Sequence, residues 1–192
     1  MKSQVKLVLL LELVTLVSAQ FITHQRGKKY SEDPDNLFKL FLKTEAGDIV
    51  SLWHDVPLFV SQDTTNNTYN MIVEIPRFSQ AKFEISRDIP LNPIIHDQEN
   101  NKNRYLPNVF PWHGHICNYG AFPQTWENPF IIDQWTGLMG DKDPIDVCEL
   151  GSNSLSTGAV VQVKVNINYY ASCLFSMFFF SLNIEGKCNV LL

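Results

Sequence analysis

The sequence predicts a mainly β protein, built as a closed barrel or a sandwich of short strands. Short runs rich in β-branched, apolar and aromatic residues recur along the middle of the chain. Turn signals that contain proline separate these runs, as expected where many short strands follow one another. Helical periodicity is weak throughout the 192 residues, so a helix-rich domain is not predicted.

Four segments carry the strand signal. In chain order they are Ile49–Trp53, Tyr69–Ile75, Lys82–Ile85 and Val160–Val165. The third alternates polar with apolar residues, as a half-buried strand does, and the other three are dominated by apolar and β-branched side chains. The turn signals between and around them lie at Asp55–Pro57, Pro76, Pro90–Pro93, Pro107 and Pro111.

The composition is that of one well-packed domain. Hydrophobic residues make up 45% of the chain, and 13 Phe, 4 Trp and 6 Tyr argue for a core rather than disorder. A net charge of −5 gives no basic surface for nucleic acid. The cysteines lack C-x-x-C spacing, so zinc is not expected, and their pairing stays open; they are Cys117, Cys148, Cys173 and Cys188.

The first 20 residues differ from the rest of the chain. A basic start is followed by the apolar stretch Leu7–Val17 and by the small residues of Val17–Ala19, which resemble a signal-peptide cleavage site. We therefore predict a signal or targeting segment at residues 1–20. Glu12 inside the apolar stretch leaves an amphipathic N-terminal helix as the alternative.

The other end is an apolar, aromatic tail. Tyr169–Leu182 is shorter than the roughly 20 residues that a membrane-spanning helix needs, so no membrane span is predicted. The segment has no clean period of two or 3.6, and either a buried strand or a poorly packed tail fits it.

An acidic segment carries the strongest chemical signal. Asp141, Asp143 and Asp146 lie within six residues, with Pro144 between the last two. In an extended chain the first two aspartates share a face, and a bend at Pro144 would return Asp146 toward them. Carboxylates so close repel one another unless they are protonated or bridged by a cation, and oxygen ligands suit Mg²⁺. The alternative is an ordinary acidic surface turn.

Other polar residues could complete a site with this segment. Glu74 lies at the end of an apolar strand, where an isolated carboxylate is costly. Lys82 and Glu84 share one strand face, although an ordinary surface ion pair would look the same. Arg104 follows a polar loop, and alone it would be interpreted as an ordinary loop arginine. Tyr119 lies in an aromatic stretch, and alone it would be interpreted as a core residue. Together, carboxylates, magnesium and cations form the usual arrangement for phosphoryl transfer.

The chain resembles the soluble, family I inorganic pyrophosphatases, and most closely their eukaryotic branch. The resemblance covers about Phe38 to Val165 in order and with few gaps. The motifs that carry it are His54–Leu58, Met71–Arg77, Ala81–Ile85, Leu91–Ile94, Asn118–Glu127 and Asp141–Val147. It implies an OB-like closed β-barrel with few flanking helices, formed by residues 21–165, and the magnesium-dependent hydrolysis of pyrophosphate to two phosphates.

The resemblance also implies roles for single residues. Asp141 and Asp146 match metal ligands, Glu74 matches a residue of the metal and water shell, and Asp143 matches the carboxylate that helps to activate the attacking water. The residues that match phosphate contacts are Lys82, Arg104 and Tyr119. Glu84 matches a carboxylate that lies behind these contacts.

The chain departs from the family pattern at three places. His115 stands where the family usually has a tyrosine with an assigned acid role, so it either substitutes for that residue or marks weakened chemistry. Lys142 places a cation between two of the aspartates. After Val165 the resemblance stops, and the divergent tail 166–192 has one acidic residue, Glu185, where the family supplies further metal-binding aspartates. We therefore expect the C-terminal part of the family fold to be missing from this chain.

Three functions fit these observations. The first is a pyrophosphatase that uses Mg²⁺ and is impaired by its altered C-terminal part. The second is a non-catalytic member that binds phosphate-type anions or a full-length subunit, and the third is a purely structural barrel, which would not need these polar groups. The resemblance implies a cytoplasmic protein and leaves a homodimer open, whereas a true targeting segment would imply a secreted or organellar one.

Overall fold

The structure is a computed structural model that describes residues 38–60, 68–132, 134 and 137–164, and the backbone alone of 179–183. These residues contain twelve strands and no helix. The predicted mainly β class is therefore confirmed, whereas the few flanking helices implied by the resemblance do not occur in the described part. The predicted targeting segment and most of the tail lie outside the described residues.

The strands are short, with one exception. In chain order they are β1 Lys39–Leu40, β2 Leu42–Lys43, β3 Ile49–Val50, β4 Thr68–Ile75, β5 Phe83–Ile85, β6 Ile94–His96, β7 Gln98–Glu99, β8 Lys102–Asn103, β9 Asn118–Ala121, β10 Asp146–Glu149, β11 Val160–Lys164 and β12 Phe179–Asn183.

Five strands form the central sheet, whose pairing closes on itself in the order β10, β12, β11, β4, β9. All neighbours in this ring are antiparallel except β10 and β12, which are parallel. A three-stranded sheet in the order β1, β6, β5 lies beside it, and β2–β3 and β7–β8 form separate two-stranded sheets. Part of the apolar tail thus has the backbone of a strand, and whether that strand is buried stays a prediction.

Strand β4 divides the interior into two clusters. Because side chains alternate along a strand, Met71 and Val73 enter one cluster while Ile72 enters the other. All three are fully buried, and each contributes about 1.5–3 kcal/mol of hydrophobic stabilisation. Glu74 lies where the pairing of β4 with β9 shifts register, and its side chain is also buried, so the strand delivers one carboxylate into an apolar interior.

Close backbone contact joins β4 to β9. Gly120 of β9 lies so near the carbonyl of Ile72 that any side chain at this position would collide with the backbone. The glycine therefore allows the two strands to pair, and β9 in turn pairs with β10 along its whole length. This pairing brings Tyr119 beside Asp146.

One predicted strand is too long. We expected a strand over Ile49–Trp53, but β3 ends at Val50 and a turn follows. The Asp55 carboxylate accepts the Ser51 backbone N–H at 2.7 Å, and the Ser51 hydroxyl oxygen accepts the His54 N–H at 2.9 Å. These side chains satisfy backbone donors locally, which favours a turn over continued pairing.

Candidate active site

The acidic loop, Asp141–Asp146, is a tight bend fixed by its own side chain. The Asp143 N–H donates to Oδ1 of Asp141 at 3.0 Å, and Lys142 between them has a φ of +79°. The bend thus lies at Lys142 and Asp143, immediately before Pro144, where we expected it. A backbone hydrogen bond joins it to Glu127, whose N–H donates to the Asp143 carbonyl at 2.9 Å. Lys142 itself is exposed.

Asp146 begins β10 and lies diagonally across from Tyr119 on the neighbouring strand. The two side chains are close enough for each to influence the pKa of the other. Burial raises the pKa of Asp146 to about 7; the Tyr119 hydroxyl opposes this rise, and the charges of Glu127, Asp141 and Asp143 add to it. Burial, followed by the charge of Asp146, also raises the pKa of Tyr119, which keeps its hydroxyl a donor.

Glu74 is the most deeply buried of the predicted carboxylates. Its Oε1 accepts the Ile85 backbone N–H at 2.7 Å. Burial raises its pKa well above the ordinary value, the Ile85 hydrogen bond opposes that rise, and the charges of Asp146, Glu84 and Asp143 add to it. The predicted acidic residues are therefore close enough to repel one another electrostatically.

The two cations Lys82 and Arg104 lie immediately before β5 and immediately after β8. The Lys82 ammonium contacts Asp97 Oδ2 at 2.5 Å and Glu84 Oε2 at 3.2 Å. The Arg104 guanidinium donates to the same Asp97 oxygen at 2.7 Å and approaches Glu99 at 4.0 Å. Lys82, Glu84 and Arg104 are thus brought together, as predicted, through a buried carboxylate that the sequence reasoning missed.

Asp143 is the point where the cations and the acidic loop meet. Burial and the charge of Asp141 raise its pKa, whereas the charges of Arg87 and Lys82 lower it. The Arg87 guanidinium lies 3.1 Å from Asp143 Oδ1 and donates to the Asp141 carbonyl at 3.0 Å. Arg104 is placed farther along the network, where its guanidinium contacts Asp97 and Glu99.

Sequence reasoning missed Asp97 and Arg87. Asp97 directly follows the apolar strand β6, so its place at a strand end was a usable signal, like that of Glu74. Arg87 lies two residues beyond β5, and no pattern in the sequence connects it with a loop 54 residues away.

His115 lies against the site through Tyr119. The two rings stack with their centroids 5.0 Å apart and an interplanar angle of 20°. Burial lowers the pKa of His115, which favours the neutral imidazole. The histidine is thus adjacent to the predicted site, although these contacts assign it no role.

The donor chemistry suits a hard divalent cation. Among the described residues, no group of three or more His, Cys, Asp or Glu side chains converges closely enough to hold a metal by itself. Mg²⁺ commonly binds through one or two carboxylates and completes its octahedron with water and phosphate oxygens. Two aspartates with a buried glutamate nearby fit that mode of binding, whereas an all-protein cage does not.

An open cleft of about 990 Å³ lies beside the acidic loop. Of the nine predicted site residues, only Asp141 lines it. Its other walls include Arg87 and Lys142 as well as Trp126. The polar cluster around Asp143, rather than this cleft, is therefore the better candidate for the chemical centre.

No helix long and apolar enough to cross a membrane occurs in the part of the chain that the structure describes.

Comparison with known proteins agrees with this geometry. The family model described as inorganic pyrophosphatase matches residues 71–166, half of the chain. The mitochondrial inorganic pyrophosphatase 2 of Mus musculus is 46% identical over 162 residues, which cover 78% of this chain and 48% of that protein. The chain thus spans about half the length of the curated relatives that it matches.

Solved structures give the same result. The inorganic pyrophosphatase of Schistosoma japonicum matches with a TM-score of 0.63 and 55% identity, covering 67% of this chain and 44% of that one. A type I inorganic pyrophosphatase of Toxoplasma gondii matches with a TM-score of 0.68 and 32% identity, covering 83% and 66%. The matched segment contains the greater part of β4 and all of β5, β9 and β10, which carry most of the candidate site. This chain belongs to the inorganic pyrophosphatase family.

Proposed function

We propose that the chain hydrolyses inorganic pyrophosphate to two phosphates with Mg²⁺, at a rate well below that of its full-length relatives. The observation that carries the proposal is the position of Asp143. This carboxylate is influenced by the acidic loop on one side and by Lys82 and Arg87 on the other. A substrate with several negative charges and a divalent cation needs both signs of charge within one site.

The acidic residues would hold the metal and the water. Asp141 and Asp146 would be direct ligands, with Glu74 in the surrounding metal and water shell. When bound, Mg²⁺ would neutralise phosphate charge and lower the pKa of a water molecule. Asp143 would accept the proton of the attacking water, and its contact with Arg87 orients the carboxylate for that task.

The basic residues would bind the phosphate groups. Lys82 and Arg104 are held by Asp97, which fixes their direction before the substrate arrives. Tyr119 would add a neutral donor, since its raised pKa keeps the hydroxyl protonated. Glu84 would support Lys82 from behind, and His115 would occupy the place of the family's acidic tyrosine.

Impaired activity follows from the composition of the tail. Residues 166–192 contain one acidic residue, Glu185, so they offer few carboxylates to a metal site. With only one or two direct ligands from the described residues, Mg²⁺ would bind weakly and depend on the substrate for the remaining coordination. The same argument supports the second candidate, a non-catalytic member that keeps the cation network and binds phosphate-type anions or a full-length subunit.

The wider context is proposed in the same way. The closed pairing of five strands supports an OB-like barrel formed by residues 21–165, and a homodimer is the assembly to test first. A cytoplasmic location fits the family, whereas a functional targeting segment at residues 1–20 would direct the chain to an organelle or to secretion. Sequencing the mature N-terminus of native protein distinguishes these locations.

Phosphate release from pyrophosphate tests the proposal. We expect slow release that requires Mg²⁺ and stops with a chelator. Lys82→Met should abolish it, whereas Lys102→Met, on the exposed strand β8, should not. No release by the unmodified chain, together with tight binding of pyrophosphate or a full-length relative, would favour the non-catalytic candidate.

A further inference from the structure

Two cross-strand contacts on β9 and β10 run side by side. Tyr119 lies opposite Cys148 in the antiparallel register, and Cys117 immediately precedes β9. Because side chains alternate and opposed residues share a face, Cys117, Tyr119, Asp146 and Cys148 all project from one face of the strand pair. On that face Tyr119 and Asp146 are diagonal neighbours in the register, and Cys117 is disulfide-bonded diagonally to Cys148.

We propose that the Cys117–Cys148 disulfide is a positioning pair that holds Tyr119 against Asp146, so that its redox state sets the geometry of the candidate site. The bond spans 31 residues, and the loop that it closes contains both Tyr119 and the whole acidic loop. Both cysteines are buried, at 1% and 2% exposure, so the bond is packed within the fold rather than placed on the surface.

The location of the disulfide distinguishes the positioning of Tyr119 from a general stabilisation of the fold. One of its sulfur atoms belongs to the residue directly opposite Tyr119, and the other belongs to the residue two positions before it. Loss of the bond would free the start of β9 and the end of β10, which lie next to Tyr119. The inference rests on the proposed function for the roles of Tyr119 and Asp146, whereas the readout described below does not.

The redox step is thiol–disulfide exchange with a low-molecular-weight disulfide such as oxidised glutathione. The thiols of Cys117 and Cys148 lose two protons and two electrons in total as the S–S bond forms. The S–S bond of the oxidant breaks, and it takes up those protons and electrons to give two thiols.

His115 provides the readout, because its ring stacks on Tyr119 and therefore reports any movement of that ring. The experiment uses the full chain carrying Cys173→Ser and Cys188→Ser, with ¹³C-labelled histidine, in oxidised and in reduced glutathione. Assignment comes from His115→Gln. His54 and His96 are the internal controls, since His54 stacks on Trp53 and His96 contacts Phe83 and Tyr105, whereas only the ring of His115 stacks on Tyr119 among the described residues.

We expect a Cys117–Cys148 peptide in the oxidised chain, and a shift of the His115 ring signal on reduction while the control signals stay in place. Cys117→Ser should give the reduced position in both buffers. Free thiols at both positions after oxidation would overturn the proposal, as would an unmoved His115 signal. Collapse of all histidine signals to unfolded positions would overturn it too, because the bond would then support the whole fold. A shift in a chain without hydrolysis would disprove the proposed function alone.

Discussion

The Lys82 ammonium lies 2.5 Å from Oδ2 of Asp97, and the same oxygen accepts a hydrogen bond from the Arg104 guanidinium. One buried carboxylate therefore sets the direction of both cations that we propose to bind phosphate. Hydrogen bonds to charged groups contribute about 1.5–3 kcal/mol each, less where the partner is solvated.

Asp97→Asn should lower the free energy of unfolding by about 1–3 kcal/mol, since it leaves two cations without their shared partner. Glu99→Gln is the matched control: it removes a carboxylate that is 72% exposed and 4.0 Å from Arg104, so it should change stability by less than about 0.5 kcal/mol. Urea unfolding measures both variants, and equal losses would show that Asp97 does not organise the cations.

Asn118→Ala should be among the most damaging single substitutions. Its amide NH₂ donates to Glu149 Oε2 at 2.6 Å and to the Asn153 carbonyl, while its oxygen accepts the N–H groups of Arg77 and Leu155. The variant leaves the buried Glu149 partly unpaired, which should cost about 3 kcal/mol or more.

Thermal unfolding of Asn118→Ala, with the exposed Asn103→Ala as its control, checks this expectation. A loss for Asn118→Ala no greater than that for Asn103→Ala would mean that the network contributes little to the fold.

Glu74→Gln should stabilise the metal-free protein at neutral pH. Burial raises the pKa of Glu74 above its ordinary value of 4.5, so the folded state holds this proton more tightly than the unfolded state does. Stability from this group is therefore present below pH 4.5 and is lost as pH rises toward the folded-state pKa. Denaturant midpoints measured across that range in chelator should fall with pH more steeply in the wild type than in Glu74→Gln. Parallel curves would contradict the burial of the carboxylate.

His115 should produce a pH dependence of the opposite sign. Its pKa is lowered from 6.5 by burial, so the unfolded state binds the proton more readily. Stability should therefore fall as pH decreases through about 6.5 and level off below the folded-state pKa. His115→Gln should remove this slope, and NMR titration of the imidazole measures the folded-state value directly. A midpoint above 6.5 would contradict the account.

The sequence predicted the strands that are defined by their own residues. Tyr69–Ile75 and Val160–Val165 correspond closely to β4 and β11, because their β-branched and apolar residues favour strands. The short strands β7 and β8 were missed, since their exposed polar residues pair only through a local turn. β3 was overextended because Ser51 and Asp55 compete for the backbone donors.

The residues of the candidate site also fall into those that the sequence could identify and those that it could not. Asp141, Asp143 and Asp146 could be identified from their spacing, and resemblance to a family connected them with Lys82 and Arg104. Arg87 and the Cys117–Cys148 bond could not be found in this way, because their partners are distant in sequence and meet only through strand register.

The most direct test of the central claim is phosphate release from pyrophosphate by the purified chain with Mg²⁺, compared with Asp143→Asn. Asparagine keeps the size of the side chain but cannot accept the proton, so the slow wild-type rate should fall by on the order of 10²–10⁴-fold or to the uncatalysed background. An equal rate for both proteins would contradict the role of Asp143, and a wild-type rate equal to that of a full-length relative would contradict the proposed impairment.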